Sequence, residues 1–311
     1  MCDLGNKAEG LVYLQKAVAS ARLSSDRHAL LTCLSNLACA HLKFGGEGTS
    51  IDLLEEAVEI AQRLGDMAEE ANILRKIALA HASDGETAAA LRFLGEAKDL
   101  FHEEEHVEGE AMCLLSLGIL RYESGEHAGG IDALEESLQL RRTLKDKLGI
   151  AEVLNRIGLS LVDIGYPLQA LDYFERALAL AQEVGDAQGE AQTLRMLAYV
   201  HLAQVDGDRK LSLELFRKSL SYSKRNGDVG GQAACYEGMG DVLMDMDDAK
   251  TAATHYTQAL SMREGWGLGK MDPQGHMRHV QLIRSKIARA KAQVRERRRE
   301  TERSIGGVGG L

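Results

Sequence analysis

The side chains of this chain that could do chemistry are ten histidines, five cysteines, a Gly-rich run ending in lysine, and arginines crowded near the C-terminus. The run Gly265-Trp266-Gly267-Leu268-Gly269-Lys270 could cradle a phosphate. A P-loop, however, needs glycine five residues before its Gly-Lys and Ser or Thr after it. Glu264 and Met271 stand in those places, and no strand-like run precedes them. His41, His81 and His201 recur in steps of 40 residues or a multiple of it. A metal needs donors converging on one point, which a series spread along a repeat axis cannot supply. His276 and His279 are three apart but lack a Cys or Glu ligand pair. There is no C-x-x-C, and no Ser/His/Asp or Cys/His set sits where an element would aim a nucleophile. The expectations are no catalytic residue, no metal, no cofactor, and a protein that is not an enzyme.

What could position these residues is an internal repeat. Leu37-Ala38, Ile77-Ala78, Leu117-Gly118, Ile157-Gly158 and Leu197-Ala198 lie one 40-residue step apart, and Met239-Gly240 follows after 42. Self-similarity at a period of 20 to 50 residues is the mark of a solenoid. Cys33, Cys113 and Cys235 each stand five residues before the small member of such a pair. Equivalent slots of packed helices are roughly 8–10 Å apart, beyond disulfide reach, so these read as small buried thiols.

Composition agrees with an all-helical chain: 311 residues, 45% hydrophobic, with only two prolines. No apolar run approaches the ~20 residues of a membrane span, and no secretory signal pattern opens the chain. The expected compartment is the cytoplasm. A first helix is expected over 6–24, with Leu11, Leu14, Ala17, Val18 and Ala21 at helical spacing. Ala17 leads by 40 to Ala57, Ala97, Ser137 and Ala177, then to Ser219 and Ala259, which marks second helices. The chain therefore opens on a half-repeat, and a shortened or truncated array is expected. Six full helix pairs follow over 27–263, completing an array over 1–264. Gly45, Gly85, Gly125, Gly165 and Gly207 are placed in the turns within pairs. Gly65-Asp66, Gly185-Asp186 and Gly227-Asp228 separate pairs, Gly ending one helix and Asp capping the next. Residues 265–272 read as a linker, 273–303 as a basic capping helix, and 304–311 as a disordered Gly-rich tail.

The chain resembles the tetratricopeptide repeat family. A large apolar slot holds Leu34, Leu74, Leu114, Leu154, Leu194 and Tyr236. A small slot holds Ser50, Ala90, Gly130, Ala170, Ser212 and Ala252, and a second large slot four residues on holds Leu54, Leu94, Leu134, Phe174, Phe216 and Tyr256. The family repeat is 34 residues and this one is 40, which is similar to the long repeats of rapsyn, kinesin light chain and spindle-orientation scaffolds. The resemblance implies a right-handed superhelical solenoid of helix-turn-helix repeats with a C-terminal capping helix. It also implies that first helices line a concave groove, into which Asn36, Arg75, Lys76, Asn155, Arg156, Arg195 and Tyr199 would face. Arginine offers planar paired donors and asparagine can clamp a peptide backbone, so an acidic peptide or helix is the implied ligand. The family's clamp for chaperone C-terminal tails is not matched, because Leu79 and Glu152 stand where it needs polar and cationic groups; no chaperone tail is expected.

Charge is uneven. Residues 272–311 hold ten Lys or Arg against four Asp or Glu, while the whole chain is at −10, leaving −16 on the remainder. Arg295, Arg297, Arg298 and Arg299 can solvate a helix end, or contact an acidic surface, whether a filament or the body itself. Nucleic acid ranks last for want of interleaved aromatics. The expected function is a non-catalytic protein-interaction scaffold or adaptor binding a partner peptide. The alternatives are a cytoskeletal or axonemal (ciliary) component docking through the basic helix, and a peptide-sensing regulator.

Overall fold

The computed structural model describes residues 2–24, 26–44, 47–204, 207–265 and 273–306. Fourteen helices and no strand occur among them. In chain order these are α1 (Cys2–Leu23), α2 (Arg27–Phe44), α3 (Glu47–Leu64), α4 (Met67–Ser83), α5 (Thr87–Glu103), α6 (Val107–Glu123), α7 (His127–Thr143), α8 (Lys147–Asp163), α9 (Pro167–Val184), α10 (Ala187–Ala203), α11 (Arg209–Arg225), α12 (Val229–Asp245), α13 (Ala249–Gly265) and α14 (Pro273–Gly306). Consecutive helices pack as antiparallel pairs, giving a helical repeat solenoid. The chain divides into two compact units, Met1–Gly149 and Ile150–Leu311. Apart from Gly265, the expected linker lies outside the described residues, as does 307–311 of the expected tail. The last helix continues to Gly306, past the expected end at 303.

Each pair closes on one recurring contact. The second large slot is fully buried in every pair: Leu54, Leu94, Phe174 and Phe216 are 0% exposed, Leu134 1% and Tyr256 2%. Burying one such side chain contributes roughly 1.5–3 kcal/mol, and each needs room opposite. The small member of the Leu-small pair supplies that room. A Cβ on Gly158 would stand 2.7 Å from the Phe174 ring, and one on Gly118 2.7 Å from Leu134 and 2.9 Å from the Gly130 carbonyl. Where the small slots carry serine, the hydroxyl is satisfied inside the packing. Ser137 donates to the Ala111 carbonyl at 2.7 Å, Ser212 to Ala198 at 2.7 Å and Ser219 to Ala191 at 2.6 Å. A buried hydroxyl is tolerated because it has an acceptor.

Junctions between pairs follow the same period. Asp66, Asp186 and Asp228 each accept a backbone N–H of the helix they open, as the sequence suggests. At the equivalent place between α5 and α6, His106 does this with its Nδ1, taking the Gly109 N–H at 2.9 Å. Asp146 does so before α8, taking the Gly149 N–H at 2.9 Å. The preceding residue is left-handed at each of the five junctions from α3/α4 to α11/α12, but only three of these positions are glycine. Glu105 (φ 54) and Lys145 (φ 56) fill the slot held elsewhere by Gly65, Gly185 and Gly227. Gly207 departs from expectation: its backbone is not left-handed, and a side chain there would strike the His201 carbonyl and the Arg209 guanidinium.

Candidate functional site

The residues singled out on the first helices fall between buried anchors. On α4, Leu74 and Ile77 are buried, and Arg75 and Lys76 between them are half-buried. On α8, Leu154 and Ile157 frame Asn155 and Arg156; on α10, Leu194 and Leu197 frame Arg195 and Met196. The first and fourth of four successive helical positions lie only about 60° apart around the axis, so the middle two lie away from that pair. These positions divide between the two units. Met1–Gly149 holds Asn36, Arg75 and Lys76, and Ile150–Leu311 holds Asn155, Arg156, Arg195 and Tyr199.

They do not all present free donors. In the first unit Asn36 is exposed. Lys76 donates from Nζ to the Ser35 hydroxyl at 2.5 Å, tying α4 to α2. Arg75 stays partly open, and its buried Nε has no hydrogen-bond partner. In the second unit Asn155 is buried and turned inward, donating to Thr193 Oγ1 at 2.8 Å while its own Oδ1 accepts from the same hydroxyl at 3.1 Å. Asn155 is thus engaged in joining α8 to α10, and the backbone clamp expected of it is not what its side chain does here. Tyr199 is likewise inside: its hydroxyl donates to the Ala234 carbonyl at 3.3 Å and its ring stands edge-on to Phe216 at 4.9 Å. Burial, then the nearby Glu237 and Asp241 charges, raise its phenol well above the ordinary range. Arg156 and Arg195 remain half-buried. The accessible cationic set is therefore Arg75 and Lys76 in one unit, Arg156 and Arg195 in the other.

The same slot in the last pair reverses sign. Glu237 on α12 is 6% exposed, and α14 answers it. His279 Nε2 lies 2.9 Å and Lys286 Nζ 3.0 Å from its carboxylate, with Arg263 of α13 at 3.6 Å. Lys286 also donates to Asp241 at 2.9 Å, and the Tyr256 hydroxyl donates to Asp241 at 2.7 Å. Burial alone would raise the Glu237 carboxyl, but Lys286 and then His279 outweigh it and hold the group below its ordinary value. Burial alone would lower Lys286, and Asp241 with Glu237 reverses that.

The sequence does contain the signal for this network. Along α14, Val280, Ile283, Ile287, Ala290 and Val294 step by three and four, a heptad seam. The first four are buried, Ile283, Ile287 and Ala290 within the core of the last pairs. His279, Lys286 and Gln293 flank that seam seven residues apart on one side, and Arg284 on the other side pairs with Glu264 at 2.7 Å. Gln293 donates to Asp247 at 2.9 Å, and Arg297 pairs with the Asp247 carboxylate and donates to its carbonyl at 2.9 Å. Of the four arginines read as solvating the helix end or contacting an acidic surface, Arg297 grips this turn of the body, while Arg295, Arg298 and Arg299 are exposed. Asp247, Asp248, Ala249, Lys250, Val294, Arg297 and Arg298 line a cavity of about 410 Å³.

The remaining titratable candidates are packing groups. His81 stacks on Phe93 at 5.3 Å with its Nδ1 2.7 Å from Glu86. Burial pushes the Cys113 thiol up to about 12, so it is not a nucleophile at neutral pH. Among the described residues no group of three or more His, Cys, Asp or Glu is placed to hold a metal, and no helix is long and apolar enough to cross a membrane.

Family models described as tetratricopeptide repeat match residues 149–225 and 30–64, and one described as anaphase-promoting complex subunit 5 matches residues 1–38 and 78–158. No curated protein matches the chain. Solved structures do. The apo form of RapI is 16% identical with a TM-score of 0.64, over 86% of this chain and 99% of that one. A Rap protein complexed with Competence and Sporulation Factor is 15% identical at 0.60, over 88% and 80%. BtubC (BKLC) from P. vanneervenii is 16% identical at 0.61, over 69% and 89%. At these identities the likeness is one of fold.

Proposed function

The chain belongs to the tetratricopeptide repeat family, and from that premise we propose that it is a non-catalytic cytoplasmic scaffold that holds an acidic peptide or helix of a partner protein against the inner slots of its first helices. The observation that carries this reading is a pair of cationic side chains left accessible on those slots within each unit, Arg75 and Lys76 on α4 in the first and Arg156 and Arg195 on α8 and α10 in the second, in a chain whose net charge is negative. The unpartnered Arg75 Nε is a donor in want of an acceptor, a costly state for a buried group. The half-buried guanidinium offers a ligand carboxylate paired donors that lysine cannot. Asn155 and Tyr199 serve behind the surface, fixing α8 to α10 and α10 to α12 so that the arginines are held in place. A structural neighbour of similar size is a Rap protein complexed with a factor, which lends support to a fold used for ligand binding.

The test is a charge reversal of Arg156 and Arg195 in the full chain, read by quantitative affinity purification against the unaltered protein. Loss of a specific set of acidic partners, with the helical circular dichroism retained, is the expected result. Unchanged partners would sink the assignment of these two arginines.

A further inference from the structure

We propose that the outward face of α14 is a second interaction surface, independent of the inner slots, and that it docks an acidic amphipathic helix of a partner protein.

The argument starts from the division of labour on α14. Its seam and flanking positions are spent on the body: Val280, Ile283, Ile287 and Ala290 are buried, and His279, Arg284, Lys286, Gln293 and Arg297 each have a partner there. The acids that α12 and its following turn offer, Glu237, Asp241 and Asp247, are taken by these inner residues. On the opposite side Arg278, Arg289, Arg295 and Arg299 are all exposed, and among the described residues none of them makes a hydrogen bond or ion pair. None of them pairs with a carboxylate among the described residues, so ion pairing to the body does not account for them. From Arg278 to Arg299 the row is about 31 Å long at the helical rise of ~1.5 Å per residue, which matches a partner helix of about six turns.

What lies between the arginines selects the partner's chemistry. Met277 and Leu282 are 53% and 50% exposed, and Ala288 and Ala292 are exposed small residues beside them. An acidic helix with its own apolar residues would cover both kinds of group, charge setting the encounter and register and the apolar area adding affinity. A nucleic acid fits less well. α14 contains no Phe, Trp or Tyr on which a base could stack, and exposed apolar side chains such as Met277 and Leu282 have no use against a phosphate backbone.

The experiment uses the full chain and a synthetic 21-residue helical peptide with glutamates along one face and leucines beside them, followed by fluorescence anisotropy. R278Q, R289Q, R295Q and R299Q are combined in one variant. Binding to the unaltered chain is expected to weaken at least about tenfold in this variant and on raising salt from about 50 to about 300 mM. A binding component that persists on charge reversal of Arg156 and Arg195 and is lost only in the combined variant is expected, which separates this surface from the inner slots; binding lost wholly on the Arg156 and Arg195 reversal would place the peptide in those slots and overturn the proposal. The thermal unfolding of the combined variant should match the unaltered chain; a clear fall would overturn the proposal by showing that the arginines hold α14 to the body. Equal binding by the combined variant would do so too. Tighter binding of a 20-nucleotide RNA or of anionic vesicles through the same arginines would assign the face to a polyanion instead and overturn the commitment to a protein helix. Arginine-dependent self-association without peptide would make the occupant a second copy and overturn it likewise.

Discussion

Asn155 and Glu237 occupy one slot of the repeat, on α8 and on α12, and each is buried against the helix that follows in the stack. Asn155 meets a neutral hydroxyl, Thr193, while Glu237 meets His279 and Lys286 at hydrogen-bond distance and Arg263 beyond. Between repeats the seam is specified by shape, with a neutral hydrogen bond filling a polar position at little desolvation cost. At the cap it is specified by charge. A repeat can rely on shape because its neighbour has the same pattern of small and large residues. On α14 ion pairs from side chains at seven-residue spacing help fix the register against α12.

If the repeat seam is a matter of shape, its largest loss should come from an apolar truncation. Phe174→Ala removes a fully buried ring that fills the space above Gly158. We expect a loss of about 3–5 kcal/mol in urea unfolding. A loss under about 1 kcal/mol would mean the seam relaxes freely and that the contrast with the cap is misdrawn.

At the cap the largest effect should come from charge. Lys286→Glu would place a third carboxylate beside Glu237 and Asp241, which now share the lysine. The expected cost is about 2–4 kcal/mol, with α14 released, read by hydrogen exchange in 279–297 against α8 to α10. Asn155→Ala removes a neutral hydrogen bond but leaves the Thr193 hydroxyl donating to the Gly189 carbonyl at 2.9 Å, and should cost only about 1 kcal/mol. Equal costs for the two would erase the distinction.

Much of this comparison was legible from residues alone, and the reasons for the rest are physical. The small and large slots recur in register because every pair needs the same volume in the same place, so Leu54 through Tyr256 could be read as one series. Asp66, Asp186 and Asp228 were legible because capping is local. His106 in the same role was not, since only the orientation of its ring shows that Nδ1 accepts the Gly109 N–H. Glu105 and Lys145 were missed as left-handed residues because the sequence signal sought was glycine. On the inner face, residue type did not reveal direction. Asn155 and Arg156 are neighbours in sequence, yet one is buried with Thr193 and the other half-open. The apolar stripe of α14 was readable, while the pairing of its flanking residues depends on carboxylates more than 40 residues away.

The two seams should also separate with pH. Glu237 is held below its ordinary value of 4.5, burial being outweighed by Lys286 and His279. With the folded value depressed, the unfolded chain takes up a proton first as pH falls. The contribution of this group is then complete above pH 4.5 and is lost as the pH drops through the folded value. Unfolding midpoints compared at pH 6 and pH 3.5 should fall more for the unaltered chain than for Glu237→Gln, which has no proton to gain. Asn155→Ala should fall by the same amount as the unaltered chain, since no charge is removed at that slot. A Glu237→Gln variant as acid-sensitive as its parent would place the origin of acid loss elsewhere.

The smallest effect concerns the junctions between the helix pairs. Gly185 and Lys145 hold the same position 40 residues apart, each left-handed, at φ 71 and φ 56. A side chain in this conformation crowds the following carbonyl at about 1–2 kcal/mol, a cost glycine avoids, although glycine loses more freedom on folding. The two terms leave Lys145→Gly a net gain of about 0.5–1 kcal/mol, and Gly185→Lys a loss of similar size. Lys145 is exposed, so no packing changes with either substitution to obscure the backbone term. Urea midpoints resolve shifts of this size in a helical chain. A Lys145→Gly variant less stable than its parent would show that the left-handed lysine is held by interactions its φ does not reveal.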